Sequence, residues 1–121
     1  MAYNTVLTTV GKYWIVDMLD ATTSDQAHHI GWGTGAGDAA IGDTTISTEG
    51  AETRVVGTQT QPAADKNRCV GTLTSAAGGT ITNAGLLTLV TVGVLVIHAN
   101  FASVVLLTGD KIEFTFDLQI T

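Results

Sequence analysis

Charged residues are scarce in this sequence. Asp, Glu, Lys and Arg make up 13% of the 121 residues, where an average soluble domain has about 25%. The formal net charge is −6, and the few basic residues are scattered, at Lys12, Arg54, Lys66, Arg68 and Lys111. A basic stripe that could follow a phosphate backbone or bind an anionic bilayer is therefore absent. We expect neither nucleic acid nor a membrane among the partners of this protein.

Cysteine and proline are nearly missing as well. Cys69 is the only cysteine, which excludes an intrachain disulfide and a thiolate zinc cluster. Its place beside Val70 in an apolar segment predicts a buried, inert thiol. Pro62 is the only proline and predicts the edge or the end of a strand, because proline cannot donate to a central ladder. The first residues lack the cationic start and apolar core of a secretion signal, so we expect retention inside a cell until assembly.

Motifs for catalysis and for cofactor binding are also missing. The glycine-rich segment Gly33–Gly37, within a predicted surface loop that extends to Gly42, has no lysine of the kind that a phosphate loop supplies. No serine lies in the Gly-x-Ser-x-Gly turn of hydrolases; the four serines are Ser24, Ser47, Ser75 and Ser103. We therefore expect no enzymatic activity and no cofactor.

Metal-ligating side chains occur, but without the spacing of a metal site. His28 and His29 would point to opposite faces of a strand, and no acid completes a site with His98. Four acids match no calcium loop; they are Asp38, Asp43, Glu49 and Glu52. We interpret the histidines as ordinary surface or core residues. The acids are interpreted as a solvated edge, with Glu52 able to pair with Arg54.

One long stretch carries no charge. No Asp, Glu, Lys or Arg occurs between Cys69 and Gly109, and the apolar run Leu86–Leu107 is long enough for a transmembrane helix. Valine and threonine dominate its first half, however, and Gly93 and His98 interrupt it. We interpret it as short buried strands, over residues 86–92, 94–101 and 103–107.

The clearest pattern that is present lies at the end of the chain. From Lys111 to Thr121 apolar residues occupy every second position, and polar residues lie between them. The apolar set is Ile112, Phe114, Phe116, Leu118 and Ile120. A period of two places these side chains on one face of a sheet. The segment is predicted to be a strand with one buried face, long enough to pair with a neighbouring subunit.

The beginning of the chain shows a different pattern. Trp14 and Met18 are four residues apart, as are Ile15 and Leu19, which is typical of neighbouring positions on a helix. Thr8 or Thr9 could cap such a helix. The alternative is a strand from Tyr3 to Val10 followed by a loop.

The remaining segments predict an all-β protein. Short apolar runs alternate with turn signals about every ten residues, which is typical of an antiparallel β-sandwich of the jelly-roll kind. Gly78-Gly79 would join strands 68–74 and 80–87 as a hairpin. The length fits one domain over residues 1–121. With 14 glycines and little charge, the surface suits packing among other subunits.

Several segments also occur in an order that resembles a family of small structural proteins of tailed bacteriophages, described as head decoration (cement) or tail-fibre-like proteins. The resemblance rests on IGWGTG at Ile30–Gly35, followed by Asp43-Thr44 and Glu49, with Glu52 and Arg54 just beyond. It continues through TITNAGLL at Thr80–Leu87 and ends with ANF at Ala99–Phe101 and GDKIEFTFDLQIT at Gly109–Thr121. One departure is Asn83, where such proteins commonly have an acid before Ala-Gly.

The resemblance implies a β-sandwich subunit, made in the host cytoplasm, that forms a homotrimer on the outer surface of the virion. Its partner would be the major capsid protein, bound at the junctions between capsid subunits. The alternatives are a tail-fibre or tail-tip subunit that contacts a host receptor, and a carbohydrate-binding module. A sugar platform would need aromatic side chains, and those available are Tyr3, Tyr13, Trp14 and Trp32.

The predicted partner contact is the segment Trp32, Gly33, Thr34 and Gly35. An exposed aromatic side chain beside a glycine-rich backbone can be buried when an interface forms. The alternative is that Trp32 belongs to the core.

Overall fold

A computed structural model describes residues 2–23 and 25–121. Met1 and Ser24, one of the four serines considered above, lie outside the described residues. The elements are β1 (Thr5–Leu7), α1 (Thr9–Leu19), β2 (His29–Gly33), β3 (Val55–Val56), β4 (Thr58–Ala63), β5 (Lys66–Thr74), β6 (Gly79–Leu87), β7 (Leu95–Leu106) and β8 (Lys111–Gln119). The strands form two antiparallel sheets, with the order β1-β7-β6-β2-β3 in one and β4-β5-β8 in the other. The prediction of an antiparallel β-sandwich is confirmed.

The core lies between the two sheets. Ile30 and Trp32 from β2 meet Leu73 from β5 and Phe116 from β8, and all four side chains are buried. Cys69 on β5 is buried with them, as its sequence context predicted. Removal of this apolar surface from water is the main driving force that holds the sheets together.

The alternation in the last strand is confirmed. β8 pairs with β5 in continuous register from Lys111 opposite Thr74 to Gln119 opposite Lys66. Phe116 is buried, the other apolar residues of the strand are half-buried, and the polar ones are exposed. Ile120 differs and is exposed, because it lies beyond the last residue that pairs with β5.

The helix predicted near the beginning of the chain is also confirmed. Thr8 is its N-cap: the Thr8 hydroxyl oxygen accepts a hydrogen bond from the Gly11 amide at 2.9 Å and donates to the Leu95 carbonyl at 2.5 Å. A Cβ atom at Gly11 would lie 2.7 Å from the Val96 carbonyl oxygen, so glycine lets α1 approach β7 closely. Of the alternative strand from Tyr3 to Val10, only Thr5–Leu7 forms a strand.

Replacement of Thr8 by Ala should lower the free energy of unfolding by about 2 kcal/mol, since it removes the helix cap and a buried hydrogen bond. Thr9→Ala is the matched control, because no described hydrogen bond involves the Thr9 side chain; its effect should stay below about 0.5 kcal/mol. Urea unfolding followed by circular dichroism measures both. Equal losses would show that the cap does not anchor α1.

Two predictions about the middle of the chain are wrong. β5 and β6 do not form a hairpin, because β5 lies in the three-stranded sheet and β6 in the five-stranded sheet. In the apolar tract, β6 ends at Leu87, so the predicted strand over residues 86–92 is wrong beyond that residue. One strand of 12 residues, β7, replaces the two strands predicted after Gly93. β7 continues past Phe101 because β6 pairs with it as far as Leu106, through a shift in register. No helix in the described part of the chain is long and apolar enough to cross a membrane.

Candidate functional site

Residues 34–54, which we call the covering loop, connect β2 to β3 across the outer face of the five-stranded sheet. Ile46 of this loop is buried in a second, smaller cluster with Leu87 and Leu95. Residues 47–50 run beside the end of β2, where the amides of Thr34 and Gly35 donate to the carbonyls of Thr48 and Ser47, each at 3.0 Å. The start of the predicted glycine-rich surface loop is therefore bound to a later part of the same connection, which runs beside β2.

Asn83 on β6 binds the covering loop most directly. Its side chain is 1% exposed. Its Oδ1 atom accepts from the Ser47 amide and its Nδ2 atom donates to the Ser47 carbonyl, both at 3.0 Å. These two bonds fix which end of the amide is the acceptor, because a reversed side chain would place two donors together. Asn83 thus occupies both backbone groups of one loop residue.

His98 on β7 extends this network. Its Nε2 atom lies 2.9 Å from Asn83 Oδ1, and its Nδ1 atom lies 2.7 Å from Asp43 Oδ2. Asn83 Oδ1 is an acceptor, so Nε2 must be the donor. Asp43 Oδ2 also accepts from the Ala40 amide at 2.8 Å. Neither ring nitrogen is free to serve as a catalytic base, and the expectation of a core histidine is confirmed.

Asn100 on β7 holds a second part of the loop. Its Oδ1 atom accepts from the amides of Asn4 and Ala39, each at 2.9 Å, and its Nδ2 atom donates to the Ala2 carbonyl at 2.7 Å. The Asn4 side chain donates in turn to the Ala39 carbonyl at 3.1 Å. Asn100 therefore ties both the N-terminal segment and the loop to the sheet.

The glycines of the IGWGTG segment provide the space for this loop. A Cβ atom at Gly33 would overlap the Ser47 carbonyl oxygen, and one at Gly35 would overlap the Ser47 hydroxyl oxygen. At Gly31 it would lie 2.9 Å from a carboxylate oxygen of Glu49. Two further segments of the resemblance supply Asn83 and Asn100. The segments IGWGTG, TITNAGLL and ANF therefore contribute residues that hold the covering loop, and Asn83 in the second of them is the position at which the chain departs from the resemblance.

The predicted contact at Trp32 is wrong. Trp32 is 1% exposed, its ring meets Phe114 edge to face with centroids 6.4 Å apart, and its Nε1 atom donates to Glu52 at 3.1 Å. Its position on the inner face of β2 is the reason, and the alternative interpretation as core is confirmed. Gly33 is buried too, while Thr34 is exposed and Gly35 half-buried. A partner contact at these last two residues stays a prediction.

Three of the four acids of the predicted edge, Asp43, Glu49 and Glu52, have specific structural partners, while Asp38 is exposed. Glu49 accepts two hydrogen bonds from Arg54, at 2.7 and 2.8 Å, and Arg54 also donates to the carbonyls of Leu89 and Val92. The predicted pair of Glu52 with Arg54 is therefore wrong, since Arg54 is occupied by Glu49. No group of three or more metal-ligating side chains occurs among the described residues.

His28 and His29, near the start of β2, do not point to opposite faces of a strand as predicted. The rings of His28 and His29 lie together, with centroids 4.5 Å apart, because His28 precedes the strand and does not follow its alternation. Burial, followed by the nearby charges of His28 and Arg54, lowers the pKa of His29. His29 Nδ1 is buried without a hydrogen-bond partner in the described part of the chain.

Hydrogen bonds from the Trp32 indole and then from the Ala76 amide lower the pKa of Glu52 below its ordinary value of 4.5. A lowered carboxyl pKa stabilises the fold above the unfolded value, and this stabilisation is lost as the pH falls through the folded value. Glu52→Gln should therefore flatten the loss of stability below about pH 4.5. Glu113→Gln, on the exposed face of β8, is the control. The measurement is the unfolding midpoint of each variant across about pH 3 to 7. If both variants lost stability with falling pH as steeply as the wild-type chain, the prediction would be contradicted.

One group of exposed apolar side chains lies on α1. Tyr13, Val16 and Leu19 follow one another at intervals of three residues and are 64%, 53% and 81% exposed. We call these three residues the α1 stripe. In α1, Gly11 alone is buried. An exposed apolar surface of this kind commonly marks a site of contact with another protein.

Comparisons of the chain with protein-family models, with curated proteins and with solved structures found no match. The fold and the site define an antiparallel β-sandwich whose polar cluster fastens a loop and whose exposed surface is rich in apolar side chains.

Proposed function

We propose that this protein is a structural subunit of a tailed-bacteriophage particle, bound on the outer surface of the capsid at the junctions between capsid subunits. It acts there by binding, as a decoration protein, and performs no reaction. The observation that carries the proposal is the α1 stripe on a framework whose motifs resemble those of the phage family. The major capsid protein is the proposed partner, with the mature virion as the site of action and the host cytoplasm as the site of synthesis.

The polar residues of the covering loop support a binding role over a catalytic one. Two groups of side chains that resemble catalytic or metal-binding residues are already engaged within the fold: His98 is bound by Asn83 and Asp43, and Glu49 is bound by Arg54. These contacts immobilise the loop before any partner arrives. A surface that is ordered in advance loses little conformational entropy on binding, which favours affinity.

Low charge supports the same role. Aside from Lys12 and Asp17, the residues of α1 are uncharged, so few hydrated charges have to lose water when this surface is covered. Further exposed apolar residues lie at the turn before β7 and at the end of β7; they are Leu89, Val90, Val92, Val105 and Leu107. A subunit with several such patches can contact more than one neighbour, as a homotrimer clamped across a capsid junction must.

A tail-fibre or tail-tip subunit that contacts a host receptor is the second candidate. The exposed rings of Tyr3 and Tyr13 favour it, because tyrosine rings can stack on sugars. The burial of Trp32 in the core removes one of the two tryptophans from such a platform.

The experiment is co-sedimentation of the purified protein with capsid shells, from the phage that makes it, that lack this subunit. We expect saturable binding with a fixed number of copies per shell. Leu19→Ser with Val16→Ser should weaken binding by about tenfold or more, since two exposed apolar contacts are lost, and should leave the unfolding midpoint unchanged. Val56→Ser, at an exposed position on β3 outside these patches, is the matched control. Absence of saturable binding to shells, with binding to the host cell surface, would contradict the decoration role.

A further inference from the structure

The sandwich has four edge strands: β1 and β3 in the five-stranded sheet, β4 and β8 in the three-stranded sheet. An edge displays unpaired N–H and C=O groups that can pair with another chain, and proteins usually protect it. β1 has three residues and β3 has two. β4 contains Pro62 and a shift in register between Thr60 and Ala63, which interrupt any further ladder.

β8 has none of these protections. Its nine residues pair without interruption with β5 on one side. On the other side no hydrogen bond reaches the backbone of residues 112–118 from any described residue. The strand therefore offers a continuous row of free donors and acceptors, and it is the long open edge of this fold.

We propose that β8 is a self-association site, at which two copies of this chain pair their β8 strands antiparallel about a two-fold axis, with Phe114 opposite the second copy's Phe114. The two three-stranded sheets then form one six-stranded sheet. A second copy is the occupant that fits, because each copy brings the same long edge and a contact about a two-fold axis is self-complementary.

The charges of β8 select this register. With Phe114 on the axis, Lys111 lies opposite the second copy's Asp117, and Glu113 lies opposite its Thr115. With Thr115 on the axis, Glu113 would face Asp117, and with Glu113 on the axis it would face itself. Like charges directly opposite each other are destabilising, while opposite charges are favourable. Of these three registers, only the proposed one gives two attractive pairs and no repulsive one. A register with Ile112 on the axis would also pair Lys111 with Glu113, but it would leave only three residues of each β8 in the ladder.

The neighbouring strand strengthens the proposed pair. Arg68 on β5 donates two hydrogen bonds to Asp117, at 2.8 and 3.0 Å. In the dimer Asp117 would lie between Arg68 of its own chain and Lys111 of the second copy. Charges of alternating sign would therefore follow one another across three adjacent strands on the outer face of the sheet.

The inner face of β8 offers apolar side chains to the same contact. Ile112 and Phe114 are half-buried in the single chain, and the Phe114 ring lies 6.1 Å from that of Phe101 on β7. In the proposed register Ile112 lies opposite the second copy's Phe116, and the two Phe114 rings lie side by side. Aromatic and aliphatic pairs across strands stabilise a sheet.

This inference does not depend on the phage role. A contact about a two-fold axis joins copies in pairs, so in a trimeric decoration protein it would join a subunit of one trimer to a subunit of the next. It is carried by the open edge and the charges of β8, and not by the α1 stripe.

Cysteine cross-linking of the full chain tests the register. Directly opposed residues lie about 5 Å apart and diagonal ones about 8 Å, and a disulfide needs a Cα separation of less than about 7 Å. An equimolar mixture of Glu113→Cys and Thr115→Cys chains should therefore form a covalent heterodimer on mild oxidation, while either variant alone should not. The wild-type chain, with buried Cys69, is the background. Cross-linking of Thr115→Cys alone or Glu113→Cys alone would show a different register, and no cross-link in any sample would overturn the proposal.

Charge reversal gives an independent readout. In a dimer of Lys111→Glu chains, the new glutamate would lie opposite Asp117 at two symmetric positions. Association, measured by analytical ultracentrifugation, should be weaker by about tenfold or more. Lys12→Glu makes the same change of charge on α1 and should leave association through β8 unchanged. Equal association of both variants, or a larger effect of Lys12→Glu, would place the contact elsewhere and contradict the proposal.

Discussion

Gly33→Ala should lower the free energy of unfolding by at least about 3 kcal/mol. The added methyl group would overlap the Ser47 carbonyl oxygen and would lie 2.7 Å from Ile46 Cγ2 and 2.9 Å from Asn83 Nδ2. Ser47 belongs to the backbone of the covering loop, so relief of the overlap requires the loop to move away from β2. Both hydrogen bonds from Asn83 to Ser47 would be lost with it. Stability is measured by urea unfolding, followed by circular dichroism.

Gly42→Ala in the same loop is the matched control. A Cβ atom at Gly42 meets no other atom within 4 Å, so its effect should be below about 0.5 kcal/mol. A domain of ordinary stability has about 5 to 15 kcal/mol in total, and the difference between the two variants should be easily measured. If Gly33→Ala unfolded at the same urea concentration as Gly42→Ala, the covering loop would not be packed against β2 as described.

Asn83→Ala should be almost as damaging, with a loss of about 3 kcal/mol. The substitution leaves the Ser47 amide, the Ser47 carbonyl and His98 Nε2 without the partner that each has in the fold. A buried polar group that loses its partner costs more than the average hydrogen bond contributes, because its water is not restored. The measurement is again urea unfolding, with hydrogen exchange at the Ser47 amide as a local probe.

Asn67→Ala provides the control for this second variant. Asn67 is an exposed asparagine on β5, and no described hydrogen bond involves its side chain, so the change in stability should stay within about 0.5 kcal/mol. Faster exchange at the Ser47 amide is expected in Asn83→Ala alone. Slow exchange there, together with wild-type stability, would mean that the network does not hold the loop.

Elements with a strong local signal were predictable from the sequence. The alternation from Lys111 onward identified β8 because one face of the strand is buried against the five-stranded sheet and the opposite face is exposed to solvent. Thr8 identified the start of α1 because a threonine side chain satisfies an amide that the first turn leaves free. Pro62 marked an edge strand, β4, because proline lacks the donor that a central ladder requires.

Pairings between distant strands were not predictable in this way. The sequence around Gly78-Gly79 suits a hairpin, but β5 pairs with β4 and β8 while β6 pairs with β7 and β2. β7 continued through residues with weak apolar character because β6 offers a partner along its length. In both cases the outcome depends on a strand far away in sequence, which local patterns do not encode.

The sequence gives only a weak indication of how the covering loop is held. Asn83 and Asn100 each interrupt an apolar, uncharged strand, and an amide in such a place is typical of a buried side chain that binds backbone groups. Their partners, Ser47 and Ala39, lie dozens of residues away and belong to no motif. The same holds for His98 with Asp43, whose pairing the sequence did not predict.

The proposed role depends on surfaces that the β-sandwich and α1 expose. The segments IGWGTG, TITNAGLL and ANF contribute to the core and to the attachment of the covering loop, and the candidate contacts are the α1 stripe and the β8 edge. One contact would face the capsid and the other a second copy of the chain.

A cryo-EM reconstruction of the assembled particle tests the central claim most directly. We predict density for this sandwich in a regular array on the outer surface of the head shell, at the junctions between capsid subunits and with α1 facing the shell. Density confined to the tail or its fibres, with a head shell that lacks the sandwich, would contradict the decoration role.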